Sequence, residues 1–160
     1  MTDTITLVVN GQARDVAADP DAPLLAVLRN ALGLKGSRFG CGHEQCGACM
    51  VLVDGEPVYA CTRPLGTIAG KAVTTVEGLG AQDRPHPLQE AFLAEQAGQC
   101  GYCLSGILVS AKALLDRNPQ PSRAEIAAAL DRHLCRCGAH NRIVRAVQRA
   151  AAVLREGAPA

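Results

Sequence analysis

Eight cysteines in 160 residues carry the chemistry open to this chain. Cys41, Cys46, Cys49 and Cys61 follow the order C-x4-C-x2-C, with the fourth after a further eleven residues. In plant-type iron-sulfur proteins that spacing lets one tight loop and one more distant strand end hold the two irons of a [2Fe-2S] cluster. A cluster held by four thiolates is anionic, so the loop must aim backbone N–H groups at sulfur. Gly36, Gly40, Gly42 and Gly47 offer the φ/ψ freedom that this requires. Phe39 reads either as a cover for one side of the loop or as plain packing.

The other four cysteines fall in two short joints, Gln99-Cys100-Gly101-Tyr102-Cys103 and Cys135-Arg136-Cys137-Gly138. A C-x2-C pair and a C-x-C pair reach one point if the fold brings the joints together. Each pair precedes a predicted helix, whose N-terminal N–H groups and dipole favour an anion. Zinc is the competing reading, because C-x2-C knuckles suit it. Against zinc, Cys135 and Cys137 are one residue apart, whereas structural zinc sites space paired ligands more widely. His43, His86, His133 and His140 are not spaced as a ligand set and read as surface or locally hydrogen-bonded residues.

These residues need elements to position them. Ile5, Leu7 and Val9 alternate on one face of a strand, Asn10-Gly11 reads as a type I′ turn, and Gln12 to Val16 returns. Asp21, with Pro23 in the first turn, opens a helix through Leu32, with Leu24, Leu25, Leu28 and Leu32 as its apolar stripe and Gly33 as its stop. Hairpin, helix and cluster loop in that order are a β-grasp arrangement. Met50 to Val53 and Pro57 to Ala60 form a second hairpin about Asp54-Gly55, which delivers Cys61, and Val73 to Val76 is a last strand. Glu77 to Pro87, with its glycines and prolines, reads as a linker.

Beyond it the chain turns alanine-rich with a helical period. Helices are predicted from Pro87 to about Gln96, from Ser105 to Arg117, from the Ser122/Glu125 capping box with Ile126, Leu130 and Leu134 inward, and from Asn141 with Ile143, Val147, Ala150 and Leu154 inward. They make a small four-helix bundle. The expected fold class is α+β, with residues 1–78 as the β-grasp unit and 79–160 as the all-α unit.

Composition narrows the function. A net charge of +1 and only two Phe, two Tyr and no Trp leave neither a basic face nor a stacking platform for nucleic acid. No apolar run is as long as a membrane span, and the N-terminal stretch MTDTITLVVNGQ has no signal-peptide pattern. The cysteines therefore point to a reducing, cytoplasmic setting and metal ligation, not disulfides.

The motifs GCGHEQCGAC, VYAC, QCGYC and LCRCG, in this order, resemble the small iron-sulfur subunit of the molybdenum hydroxylase (xanthine oxidase) family, and most of all its nicotinate and isoquinoline oxidoreductase members. The likeness runs from the first hairpin to the last helix. It implies a ferredoxin-like β-grasp domain and a four-helix domain, each with one [2Fe-2S] cluster. By that resemblance Cys41, Cys46, Cys49 and Cys61 hold the outer cluster. Cys100, Cys103, Cys135 and Cys137 hold the inner one, and Gln99 and Cys137 meet the pterin of a molybdenum cofactor bound by a large partner subunit. Electrons from oxidation of an N-heterocycle or aldehyde there pass singly through both clusters to a flavin subunit or a cytochrome.

Two departures stand out. Glu44 replaces a glycine of many relatives, which implies a different turn at that point and a carboxylate that lowers the outer cluster's potential. CRCGAHNR stands where the carbon monoxide dehydrogenase branch reads CRCTGY, which favours the N-heterocycle and aldehyde branches.

Two other classes remain open at this point. A free-standing ferredoxin-type carrier lacks a reason for the second domain and commonly bears an acidic docking face, absent from this near-neutral chain. A zinc-stapled interaction module has no redox role. The readings separate on metal analysis. Two [2Fe-2S] sites give a brown protein with about four irons and two paramagnetic signals on reduction, and the zinc module gives a colourless protein without iron.

Overall fold

The computed structural model describes residues 3–157. Strands β1 (Asp3–Val9) and β2 (Gln12–Ala18) form the first hairpin, in register Val9 to Gln12. Asn10 and Gly11 both have positive φ, as a type I′ turn requires. β3 (Met50–Val53) and β4 (Glu56–Tyr59) repeat the device around Asp54-Gly55. β5 (Ala72–Thr74) lies between the hairpins, parallel to β1 and antiparallel to β3, so the sheet order is β2-β1-β5-β3-β4. Asn10 locks this join, since its side chain accepts from the Thr75 amide (2.9 Å) and donates to Thr75 Oγ1 (3.0 Å).

The first helix is shorter than its apolar stripe suggests. Asp21 stays outside it, its amide bonded to Asp19 Oδ1 (2.9 Å) in a turn. Helix α1 (Leu24–Ala26) starts after Pro23 and runs into a π-helical turn (Val27–Ala31), closed by the Leu32 amide on the Val27 carbonyl (3.1 Å). The widened turn keeps Leu24, Leu25, Val27 and Leu28 all buried against the sheet. A short 3-10 helix (Leu65–Ile68) closes this core with two further buried side chains.

Four helices follow: α2 (Pro87–Ala94), α3 (Leu104–Arg117), α4 (Arg123–Leu130) and α5 (His140–Glu156). The capping box at Ser122 and Glu125 is formed. Leu134 departs from the expected stripe. α4 ends at Leu130, the chain bends to make the cysteine joint, and Leu134 is left 65% exposed. The expected linker is ordered, with Leu79 buried, Glu77 Oε1 accepting from the Gly36 amide (2.6 Å) and a paired turn between Ala81 and Arg84. Among the described residues no helix is long and apolar enough to cross a membrane.

Strand β3 joins the two cores. Alternate side chains of a strand point to opposite faces, and here all four are buried. Val51 and Val53 pack with Leu7, Leu24, Leu28 and Val73, while Met50 and Leu52 pack with the helical core around Leu88, Ile107 and Val147. A continuous apolar run without alternation is the sequence mark of such a strand.

His86 caps α2, its Nδ1 accepting from the Leu88 amide (3.1 Å) while Gln89 reaches back to the His86 amide (2.9 Å). Burial, then the nearby Lys112 charge, holds its pKa below the usual histidine value. The cap needs unprotonated Nδ1, so its contribution is present above the ordinary histidine pKa and is lost as pH falls below it. His86→Ala should cost about 1 kcal/mol in urea unfolding at pH 8, with a smaller difference at pH 5. An equal loss at both pH values would show that the cap does not act through neutral imidazole.

Candidate metal centres

The outer loop leaves α1 under the control of Arg29, which donates to the carbonyls of Lys35 and Ser37 (2.7 Å each). It then folds back on itself so that backbone amides meet sulfur. Cys41 Sγ accepts from the amides of Gln45 (3.2 Å) and His43 (3.5 Å), and Cys46 Sγ from that of Cys41 (3.3 Å). Burial works to raise the Cys41 pKa, but the N–H groups of His43, Gln45 and Cys46 together outweigh it and bring the thiol to about 6.

Of the four glycines, Gly42 and Gly47 have positive φ, whereas Gly40 is needed for space, since a Cβ there would stand 2.6 Å from Cys46 Sγ. Gly36 is likewise fixed by crowding, against Val76. Glu44 keeps a left-handed backbone (φ 61) despite its side chain, so the loop turns there as a glycine would, at a cost of about 1 kcal/mol. Its carboxylate accepts from the Thr62 hydroxyl, tying the loop to the residue after Cys61. Phe39, 59% exposed, lies over Gly42.

All eight cysteines are free thiols, and they meet in twos. In the outer set the Cys46 thiol acts on Cys41, and the Cys61 thiol on Cys49. In the second set the partners come from different joints, Cys100 with Cys137 and Cys103 with Cys135, so the fold does bring the joints together. Burial, reinforced by the neighbouring sulfur, pushes Cys49 and Cys103 up to about 12. Cys100 is lowered by the Tyr102 amide and the Cys137 thiol. At Cys135, burial raises the pKa but the amides of Ala139, Cys137 and Gly138, with the Cys103 thiol, bring it down.

Both joints sit at helix starts, Cys103 before α3 and Cys137 just before α5. Pairs of thiols ringed by amides suit a cluster of two irons, each with two cysteines, better than one tetrahedral zinc. Gln99 Nε2 donates to the Cys137 carbonyl (3.3 Å), which places together the two residues expected to meet a pterin.

Contacts between the two sets were not visible in the sequence. The Leu134 amide donates to the Cys46 carbonyl (3.1 Å), the Tyr102 hydroxyl to the Phe39 carbonyl, and Arg38 Nη1 to the Gly101 carbonyl (2.6 Å), with the Arg38 guanidinium 5.3 Å above the Tyr102 ring. His133, expected at the surface or in a local hydrogen bond, is buried and bonds instead to Ser110, 23 residues away in the chain. Burial and then the Arg132 charge lower its pKa to about 4. No local pattern marks His133, because its burial comes from the packing of segments far apart in the chain. His43 and His140 do lie at the surface, His43 bonded to Gln45 (3.2 Å).

Residues 7–73 match the family model described as 2Fe-2S iron-sulfur cluster binding domain, and residues 75–148 match that of the [2Fe-2S] binding domain. The chain is 53% identical to a nicotinate dehydrogenase subunit of Pseudomonas putida, over 98% of its own length and 99% of that protein. The chain belongs to the iron-sulfur subunits of the molybdenum hydroxylases. The alpha subunit of isoquinoline 1-oxidoreductase from Brevundimonas diminuta is 51% identical, over 92% of this chain and 97% of that one. The solved aldehyde oxidoreductase of Desulfovibrio desulfuricans superposes with a TM-score of 0.93 at 46% identity. It matches 96% of this iron-sulfur subunit, which spans 17% of that longer chain.

Gly47 has φ 74, and a Cβ on it would stand 2.2 Å from His133 Nδ1 and 2.8 Å from the Arg132 carbonyl. Gly47→Val should strip iron from the outer loop while leaving far-UV helicity unchanged. Full iron in that variant would refute the need for glycine there.

Proposed function

We propose that this chain is the electron-transfer subunit of a molybdenum hydroxylase complex. Cys100, Cys103, Cys135 and Cys137 hold an inner [2Fe-2S] cluster near the molybdenum-pterin site of a large catalytic partner, and Cys41, Cys46, Cys49 and Cys61 hold an outer one. Residues 1–78 and 79–160 form the two cluster-binding units. The observation that carries this reading is the hydrogen bond from the Leu134 amide to the Cys46 carbonyl (3.1 Å), which joins the cysteine loop of one [2Fe-2S] family domain to the cysteine joint of the other.

When bound, the clusters supply one-electron acceptors that divide the two electrons of a C–H oxidation. The chain sets their environment. Amides of His43 and Gln45 face Cys41, and that of Tyr102 faces Cys100 (3.5 Å), so anionic sulfur is stabilised chiefly by backbone N–H groups, with the Arg38 charge adding to them at Cys100. The Glu44 carboxylate, held by Thr62, adds negative charge beside the outer loop and lowers that cluster's potential. Gln99, tethered to the Cys137 carbonyl, forms with Cys137 the contact to the pterin.

Relatives named for nicotinate, isoquinoline and aldehyde oxidation support an N-heterocycle or an aldehyde as the substrate of the complex. The electrons leave to a flavin subunit or a cytochrome. Eight cysteines that serve as metal ligands suit a reducing compartment, and we place the chain in the cytoplasm.

Cys137→Ser in the purified complex tests the assignment. The inner paramagnetic signal should vanish, the outer one persist, and turnover with the native acceptor fall to background. Both signals at wild-type strength with normal turnover would remove Cys137 from the ligand set.

A further inference from the structure

The turn between α4 and Cys135 holds a buried imidazole that ligation does not use. His133 is 5% exposed, its Nε2 lies 2.8 Å from Ser110 Oγ on α3, and its Nδ1 faces the Gly47 backbone without forming a well-aligned hydrogen bond. An aliphatic side chain would fill the space without the cost of burying an unpaired nitrogen. The imidazole brings two things that an aliphatic group lacks, a flat profile and a polar atom by which its rotation is fixed.

Both matter here, because the surroundings are tight. A Cβ on Gly47 would stand 2.2 Å from His133 Nδ1, and one on Gly106 would stand 2.0 Å from the Gly47 carbonyl. The outer cysteine loop at Gly47, helix α3 at Gly106 and Ser110, and the turn at His133 therefore touch with nothing between them. The flanking residues carry the chemistry. Gly47 follows Cys46, whose carbonyl accepts from the Leu134 amide, and Leu134 precedes Cys135. A covalent route from Cys46 to Cys135 is thus broken by one hydrogen bond only.

We propose that His133, pinned by Ser110, is a positioning residue that sets the separation of the two cysteine sets by seating the outer loop on α3, and so keeps the Cys46 carbonyl on the Leu134 amide. The inference rests on the two-cluster reading above. Transfer from the inner to the outer set moves one electron, oxidising the first and reducing the second, with no bond made or broken and no proton moved. Its rate depends on the gap that His133 holds, since electron tunnelling decays steeply with distance.

Three variants of the full chain, His133→Leu, Ser110→Ala and His133→Gln, test this by iron content and by electron paramagnetic resonance after dithionite reduction of both clusters. The magnetic splitting between two reduced clusters reports their separation. In His133→Leu and Ser110→Ala the iron and both signals should remain while the splitting changes. In His133→Gln, whose amide can reach Ser110, the wild-type splitting should return. Wild-type splitting in both His133→Leu and Ser110→Ala would overturn the proposal, as would loss of outer-loop iron from Ser110→Ala, which would make the pair a prop for the loop and not a spacer. Absence of two signals in the wild-type chain would bring down the cluster reading itself.

Discussion

The hydrogen bond from the Leu134 amide to the Cys46 carbonyl, 3.1 Å long, ties a loop of the β-grasp unit to a joint of the helical one. Each set of cysteines has its own local reason to fold, but electron transfer requires that the two be held at a fixed short distance. That requirement explains the sparse side chains at the junction. Gly47 and Gly106 meet where neither has room for a Cβ, and His133 packs beside them. Strand β3 supplies rigidity behind it, because burial of Met50 and Leu52 on one face and of Val51 and Val53 on the other fuses the two cores. Fully burying each such side chain contributes about 2 kcal/mol, so the halves cannot separate cheaply.

A second constraint is electrostatic. Thiols drawn together resist common ionisation, and the protein divides the load unevenly. Cys41 is brought to about 6 and Cys49 is pushed up to about 12 within the outer set, while Cys100 and Cys135 are lowered and Cys103 is raised in the inner one. Ligation by thiolate displaces the remaining protons, which couples metal binding to proton release. The backbone amides that face Cys41 and Cys100 stabilise the charge left behind, so ligation draws on groups already in place.

Much of this was legible in the sequence, where the determinants are local. Asn10-Gly11 and Asp54-Gly55 form the turns that their residues require, and Ser122 with Glu125 forms its capping box. The cysteine spacings and the ordered motifs carried the family. Less legible were features fixed by tertiary contact. The π-turn at Val27–Ala31 arises because the sheet buries four neighbouring side chains at once, which a plain 3.6-residue period does not describe. Leu134 looked inward by periodicity, yet α4 stops before it. His133 gave no local signal, and neither did the left-handed backbone that Glu44 adopts despite its side chain.

The central claim is that electrons pass first to the set at Cys100, Cys103, Cys135 and Cys137 and then to the set at Cys41, Cys46, Cys49 and Cys61. Freeze-quenched paramagnetic resonance of the assembled complex, mixed with the heterocycle or aldehyde it oxidises, measures that order directly. The account predicts that the inner signal rises first and decays as the outer one grows. An outer signal that leads, or that grows at its full rate when the inner cluster has been removed, would contradict it.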